Sequence, residues 1–301
     1  MAPLWQQPFL SFSNPSINRA SGPTRGVFAG GDRSGSSDII EYITIATTGN
    51  TTDFGDLTVA RAQGGGVSGG GRGVFGGGAG GNVMDYITIA TTGDATDFGD
   101  LTVSRAILTS VYSDTRGVWG GGQTDSNVMD YITILTAANA ADFGDLTLGR
   151  SHLGAVTNVT RGVFCGGFSS SANQDTMDYI TIASAGNATD FGDLLAAIRV
   201  LGGLASETRG VIGGGVSSSN VMQYITIAST GNATDFGDLT QGRSQPAGTS
   251  NLTRGVFAGG GAGSPAQSDV MDYITIASTG NATDFGDLVA GVQDAFGGVQ
   301  G

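Results

Sequence analysis

The sequence predicts an all-β protein folded as a closed six-bladed β-propeller with four antiparallel strands in each blade. Two observations predict this fold class. The 301 residues include 54 glycines and few charged side chains, and Thr, Ile and Val are abundant. This composition disfavours long helices and favours short strands joined by tight turns. The tripeptide Arg-Gly-Val also occurs six times, at spacings of 44 to 48 residues, and a period of this length with strand-like content is typical of propellers.

Each repeat divides into four strand-sized segments. The Arg-Gly-Val segment is a short apolar run closed by glycines. The next segment, "VMDYITIA", alternates with period two, so that Met271 and Tyr273 face away from Asp272 and Ile274. Gly-Asn turn chemistry separates it from a third segment, "DFGDLTVAR". The stretch before the next Arg-Gly-Val, such as residues 106–115, supplies the fourth strand.

The repeats define the domain organisation. Residues 1–15 form an N-terminal arm, and residues 16–301 form the propeller, with repeats beginning near residues 24, 71, 115, 160, 208 and 253. Residues 292–301 align with the segment that precedes each Arg-Gly-Val. We therefore expect this C-terminal segment to pair with the first repeat and close the ring, leaving no open sheet edge. The alternative is an open solenoid, but solenoids need polar capping repeats, and the first and last copies resemble interior ones.

Composition excludes several classes of partner. The 13 basic residues are all arginine, and 26 acidic residues give a net charge of −13. Such a surface repels nucleic acid and anionic membranes, and no apolar stretch approaches the roughly 20 residues of a membrane span. We therefore expect no nucleic-acid partner and no membrane insertion. The lone Cys165 excludes an internal disulfide and is expected to be a small buried residue, and the N-terminus does not resemble a secretory signal.

The repeats resemble the kelch family. A Gly-Gly pair, about ten variable residues, an acid before tyrosine, an aromatic residue, a leucine and an arginine recur in order. In the first repeat these places are filled by Gly30, Gly31, Glu41, Tyr42, Phe54, Leu57 and Arg61. The interval from tyrosine to the aromatic residue is longer than in typical kelch repeats, and phenylalanine replaces the usual tryptophan. The phrase "YITIASTGNATDFGDL" also resembles repeats in structural proteins of marine bacteriophages, especially cyanophages.

The motif "DFGD" looks chemical, because Asp-Phe-Gly holds magnesium in kinases. That role also requires a lysine, which this chain lacks, so we expect neither catalysis nor a cofactor here. The structural interpretation is that the first aspartate caps a turn and the second pairs with a repeated arginine. Calcium binding is the alternative. The paired aspartates are Asp53 and Asp56, Asp97 and Asp100, Asp142 and Asp145, Asp190 and Asp193, Asp235 and Asp238, and Asp284 and Asp287.

Arginines and acids recur in matching numbers, which predicts bidentate ion pairs within or between blades. Gln223 replaces the acid in one repeat, and the sole histidine, His152, is interpreted as an ordinary strand or loop residue. Besides the arginine of Arg-Gly-Val, the second repeated arginine is Arg61, Arg105, Arg150, Arg199 and Arg243. The acids before tyrosine are Glu41, Asp85, Asp130, Asp178 and Asp272.

The loops after Gly-Gly differ between copies and are small and polar. We expect them to emerge together on one face, where propellers usually place recognition, with Phe168 as their one aromatic residue.

The phage resemblance implies a non-enzymatic structural or adhesive component of a virus particle, assembled in the host cytoplasm and located in the virion. Its expected partners are other virion proteins and a host-surface glycan or protein. A carbohydrate-binding propeller and a kelch-type adaptor are the alternatives. The N-terminal arm is the expected partner-binding segment, since it holds Trp5, Phe9 and Phe12 and no charge.

Overall fold

The computed structural model describes residues 24–79, 81–262, 267–293 and 298–301. Within these ranges the chain forms 24 β-strands and no helix, and therefore no helix that could cross a bilayer. The strands assemble into six four-stranded antiparallel sheets, which are the blades of a six-bladed β-propeller. The predicted all-β propeller of six blades, each with four antiparallel strands, is confirmed. The N-terminal arm, with Trp5, Phe9 and Phe12, lies outside the described residues.

The strands follow the repeats. Blade 1 begins with β1 (Arg25–Ala29), β2 (Ser37–Thr44) and β3 (Thr52–Arg61). Blade 2 contains β4 (Gly65–Gly69), β5 (Arg72–Gly76), β6 (Val83–Thr88) and β7 (Thr96–Asp100). Blade 3 contains β8 (Thr109–Tyr112), β9 (Arg116–Gly120), β10 (Val128–Thr133) and β11 (Ala141–Asp145). Blade 4 contains β12 (Gly154–Thr157), β13 (Arg161–Ser169), β14 (Ala172–Thr181) and β15 (Thr189–Asp193). Blade 5 contains β16 (Gly202–Ala205), β17 (Arg209–Gly213), β18 (Val221–Thr226) and β19 (Thr234–Asp238). Blade 6 contains β20 (Ala247–Ser250), β21 (Arg254–Ala258), β22 (Ser268–Thr275) and β23 (Thr283–Val292). The C-terminal β24 (Gly298–Gln300) completes blade 1.

Blade 1 is built from both ends of the described chain. Its strand order is β24-β1-β2-β3, whereas each other blade uses four consecutive strands. Val299 lies opposite Val27 in the antiparallel β24–β1 pair. The predicted pairing of the C-terminal segment with the first repeat is confirmed.

The hydrophobic core lies between blades rather than within one sheet. Phe143 of blade 3, for example, packs with Phe164 and Ile180 of blade 4. Six such clusters join successive blades, and one of them joins blade 6 to blade 1. Both faces of an interior strand are therefore apolar, as expected for sheets packed between two others.

The first strand of each blade lies innermost. The pairs β4–β8, β8–β12, β12–β16, β16–β20, β20–β24 and β24–β4 are all in contact. Every blade has the same antiparallel strand order, so equivalent connections lie at the same end of every blade. We call the end that carries the Gly-Gly loops, between second and third strands, the loop face. The end that carries the Gly-Asn turns, between third and fourth strands, is the turn face.

Candidate functional site

The glycine of "DFGD" is required by contact with the next blade. Gly144 has φ +136°, and a Cβ added there would lie 2.6 Å from the carbonyl carbon of Gly186 in blade 4. L-residues rarely adopt this backbone conformation, so both the dihedral and the space select glycine. The same contact recurs six times, between Gly55 and Gly93, Gly99 and Ala138, Gly144 and Gly186, Gly192 and Gly231, Gly237 and Gly280, and Gly286 and Gly49.

The second aspartate of "DFGD" is fixed through its backbone. The N–H of Asp145 donates to Oδ1 of Asn187 in the turn of blade 4, at 3.1 Å. The side chain that accepts is Asp94 in blade 2 and asparagine in the other blades. The equivalent donor–acceptor pairs, all at 3.1 Å, are Asp56–Asp94, Asp100–Asn139, Asp193–Asn232, Asp238–Asn281 and Asp287–Asn50.

The predicted arginine partner of the second aspartate was wrong, because the repeated arginines contact other groups. The arginine of Arg-Gly-Val lies over the tyrosine of its own blade, at 4.1 to 4.4 Å from the ring centroid. Its Nη1 donates to a backbone carbonyl of the next blade. These pairs are Arg25–Ile89, Arg72–Ile134, Arg116–Ile182, Arg161–Ile227, Arg209–Ile276 and Arg254–Ile45.

The second repeated arginine forms a buried ion pair with the next blade. Nη2 of Arg150 lies 2.6 Å from Oδ2 of Asp178, and Nη1 donates to the carbonyl of Thr176. The other carboxylate oxygen accepts from the hydroxyl of Thr147. The predicted pairing between blades is confirmed, but it is not bidentate, because each carboxylate oxygen has a different donor. Equivalent pairs are Arg61–Asp85, Arg105–Asp130 and Arg243–Asp272.

Burial dominates the electrostatics of these pairs. It lowers the pKa of Arg150 from its ordinary value, while Asp178 opposes the shift. It raises the pKa of Asp178, while Arg150 and Thr147 oppose that shift. Nε of Arg150 has no hydrogen-bond partner. Removing one member would leave an uncompensated buried charge, so the pair stabilises the interface only when both members are present.

The interface between blades 6 and 1 is built differently, because Val292 occupies the position of the arginine. Glu41 of blade 1 is paired instead with Arg33, which comes from the loop of its own blade. One Glu41 oxygen also accepts from the N–H of Val289 of blade 6, at 2.8 Å, and from the hydroxyl of Thr51. The buried acid is therefore still satisfied.

The interface between blades 4 and 5 departs further. Gly122 donates to the carbonyl of Arg150 at 3.0 Å, and in the next blade Gly167 donates in the same way to the carbonyl of Ile198 at 2.9 Å. Ile198 thus occupies the arginine position, and Arg199 lies one residue beyond it. The predicted equivalence of Arg199 with the second repeated arginine was wrong.

Two further changes accompany this shift of Arg199. Leu195 stands where the hydroxyl of Thr147 would be, and Gln223 replaces the carboxylate. Gln223 is 4% exposed. Its Oε1 accepts from the N–H of Leu195 at 2.8 Å, so an uncharged hydrogen bond remains there.

Arg199, Phe168 and His152 form a cluster on the loop face. The guanidinium carbon of Arg199 lies 4.4 Å from the ring centroid of Phe168. The His152 ring meets the same phenyl ring edge-on, with centroids 6.5 Å apart. Nδ1 of His152 lies 3.0 Å from Oγ of Ser151. All three ring or guanidinium groups are partly exposed.

A chain of backbone hydrogen bonds surrounds the loop-face end of the propeller axis. Four N–H groups donate to the carbonyl of the equivalent residue in the preceding blade, at 2.6 to 3.1 Å. The five residues joined by these hydrogen bonds have positive φ, between 54° and 66°. Two of the five are β-branched, and β-branched residues rarely adopt this backbone conformation. The five are Gln63, Ile107, His152, Val200 and Gln245. Because His152 is one of the residues joined by these hydrogen bonds, the cluster of Arg199 lies beside the propeller axis.

A central cavity of about 530 Å³ follows the axis and is lined by the innermost strands. One cavity-lining residue of each blade stands at the same register position, opposite the glycine of Arg-Gly-Val. These residues are Ser68, Tyr112, Thr157, Ala205, Ser250 and Gln300. None of these side chains is charged at neutral pH. Tyr112 is the one that titrates, and burial raises the pKa of its hydroxyl to about 12.

Two hydroxyl groups that line the cavity donate hydrogen bonds to backbone carbonyls of the preceding blade. Thr157 donates to the carbonyl of Tyr112 at 2.8 Å, and Ser250 donates to the carbonyl of Ala205 at 2.7 Å. Asp114 and Glu207 line the cavity near the turn face. The cavity therefore offers neutral surface along its wall and negative charge at one mouth.

The remaining predicted residues have simple positions. The first aspartate of each "DFGD" is exposed. The pKa of the Asp56 carboxyl is raised from its ordinary value, first by burial and then by the nearby charges of Asp38, Asp94 and Asp53. Among the residues described, no group of three or more His, Cys, Asp or Glu is placed to hold a metal, and calcium binding stays an untested alternative. Cys165 is fully buried, as predicted, and burial raises the pKa of its thiol to about 12.

No protein-family model matches the chain, and no curated protein is significantly similar to it in sequence.

Proposed function

We propose that the protein is a non-enzymatic structural or adhesive component of a virus particle, and that its blades form a closed, kelch-like ring. The observation that carries the proposal is the use made of the repeated residues. The motif glycines, the Arg-Gly-Val arginines and the buried ion pairs all join one blade to the next. These repeated contacts support a scaffold role for the repeats.

Contacts between blades 6 and 1 support ring closure. Asp287 donates to Asn50, Arg254 donates to Ile45, and a Cβ on Gly26 would meet Thr249 of β20 at 2.6 Å. These contacts match those between other successive blades, although the ion pair differs, and they support the proposed closure.

The resemblance of the repeats to phage structural proteins supports the virion role, with other virion proteins as partners. The uncharged arm with Trp5, Phe9 and Phe12 is the proposed docking segment.

Particle incorporation tests this role. An antibody against the protein should detect it in gradient-purified particles, and deletion of residues 1–14 should lower incorporation while the far-UV circular dichroism spectrum is unchanged. A protein found only in the free fraction of the lysate contradicts the virion role. A truncated protein that is incorporated as well as the full chain rejects the arm as the anchor.

Glycan recognition is a second candidate, favoured by the cluster of Arg199 on the loop face. Like the Arg-Gly-Val arginines, Arg199 is partly exposed and lies over an aromatic ring. Unlike theirs, its guanidinium donates to no backbone carbonyl among the residues that the structure describes. A surface of this kind on a rigid scaffold is suited to recognition.

A further inference from the structure

Arg199 differs from every other arginine in the described part of the chain. Six arginines donate to backbone carbonyls of a neighbouring blade, and the others are paired with buried acids. In the part of the chain that the structure describes, the guanidinium of Arg199 has one partner, the face of Phe168. Its N–H donors point to no carboxylate or carbonyl among the residues described, so they are available to a ligand.

Several departures from the repeat produce this arrangement together. The one-residue shift that puts Ile198 in the interface brings Arg199 to the loop face. In the same blade, β13 and β14 extend into a hairpin that carries Phe168, whereas the second strands of blades 3 and 5 end at Gly120 and Gly213. A cation held over an aromatic face is positioned before a ligand arrives.

Charge restricts the ligand. A guanidinium with unused donors suits a planar carboxylate, which it can bind through two parallel hydrogen bonds. The whole chain carries a net charge of −13, so ligands with several negative charges are repelled over most of the surface. The single guanidinium of Arg199 on this negatively charged protein therefore favours a ligand with one carboxylate over a phosphate or a polyanion.

Neutral hydroxyls extend the cluster. The hydroxyl of Ser151 is buried beneath the cluster, 3.0 Å from Nδ1 of His152, and supports that ring. Ser170 and Ser171 form the exposed tip of the hairpin that carries Phe168. A ligand with hydroxyl groups beside its carboxylate could use both kinds of contact.

We propose that Arg199 and the neighbouring hairpin bind the carboxylate of a sugar acid on the loop face. Arg199 supplies the charge-assisted hydrogen bonds, Phe168 holds the guanidinium in place, and the exposed hydroxyls of Ser170 and Ser171 contact the sugar hydroxyls. The site does not depend on the virion role, because it can be measured on the isolated protein and would stand if the protein were absent from particles.

Titration of the full-length protein with glucuronate, glucose, acetate and inorganic phosphate, followed by NMR chemical shifts, tests the site. We expect glucuronate to bind, acetate to bind more weakly, and glucose and phosphate to bind at least about tenfold more weakly than glucuronate. Arg199→Gln should weaken glucuronate binding about tenfold or more, since charge-assisted hydrogen bonds are lost. Arg199→Lys should keep part of the affinity.

Ser229→Asp is the matched control. It changes the net charge by the same amount, at an exposed turn on the opposite face, and should leave glucuronate binding unchanged. Equal binding by wild type and Arg199→Gln overturns the site. Phosphate binding as tight as glucuronate overturns the carboxylate class, and acetate binding as tight as glucuronate overturns the sugar class. Among the residues described, the Arg199 side chain has no hydrogen bond to lose and contacts only the face of Phe168, so the variant should melt within about 2 °C of the wild type.

Discussion

The interface between blades 3 and 4 and the interface between blades 4 and 5 solve one packing problem with different chemistry. The first buries Arg150, Asp178 and the hydroxyl of Thr147 in a charged cluster. The second places Ile198 and Gln223 at the equivalent positions and keeps one neutral hydrogen bond. A buried ion pair is thus dispensable at an interface when its members are replaced together, and this matches the small net stability that such pairs contribute.

The largest expected effect is the loss of one member of the charged cluster. Asp178→Ala leaves the guanidinium of Arg150 buried without its carboxylate and should lower the free energy of unfolding by about 3–5 kcal/mol. Gln223→Ala removes one neutral hydrogen bond and should cost about 1 kcal/mol. Urea denaturation measures both losses, and Ser229→Ala, at an exposed turn residue of blade 5, is the control with no expected change. Equal losses from the first two variants would show that the two interfaces do not differ as argued.

A smaller loss should follow from filling the space at the motif glycine. Gly144→Ala would place a Cβ 2.6 Å from the backbone of Gly186, and we expect it to cost about 3 kcal/mol. Gly186→Ala is the comparison variant, since a Cβ there meets nothing within 4 Å although the φ of +156° strains the backbone of an L-residue. It should cost about 1 kcal/mol, which is clearly less than Gly144→Ala. Similar urea midpoints for the two variants would mean that the contact between blades does not select the glycine.

Metal removal should have the smallest effect. If the "DFGD" motif serves contacts between blades, EDTA should shift the melting temperature by less than about 1 °C, because no bound cation would stabilise the native state. A large fall that calcium reverses and magnesium does not would support the calcium alternative at these aspartates.

The repeat period and strand patterns were sufficient to predict six blades of four strands and the pairing of the C-terminal segment with the first repeat. Partners across blades were harder to predict. Asn187 lies 42 residues from Asp145, whose backbone N–H donates to it. A local sequence pattern does not indicate a pair so distant along the chain. Assigning the second "DFGD" aspartate to an arginine failed for that reason.

The Arg199 cluster had a signal in the sequence that was not used. Arg150 is the fourth residue after Leu146, whereas Arg199 is the fifth residue after Leu194. This extra residue, with Gln223 in the following repeat, marks the altered interface. What it could not predict is that the displaced arginine meets Phe168, because that contact depends on how far the hairpin of blade 4 extends.

The most direct test of this account is a double-mutant cycle with Ile198→Arg and Gln223→Asp, which would convert the neutral interface into the charged one. Gln223→Asp alone buries an unpaired carboxylate and should be strongly destabilising, and adding Ile198→Arg should recover much of that loss. The account predicts a favourable coupling energy of about 2–3 kcal/mol between the two substitutions. Losses that add within about 0.5 kcal/mol would contradict it, since Ile198 would then not occupy the position of the interface arginine.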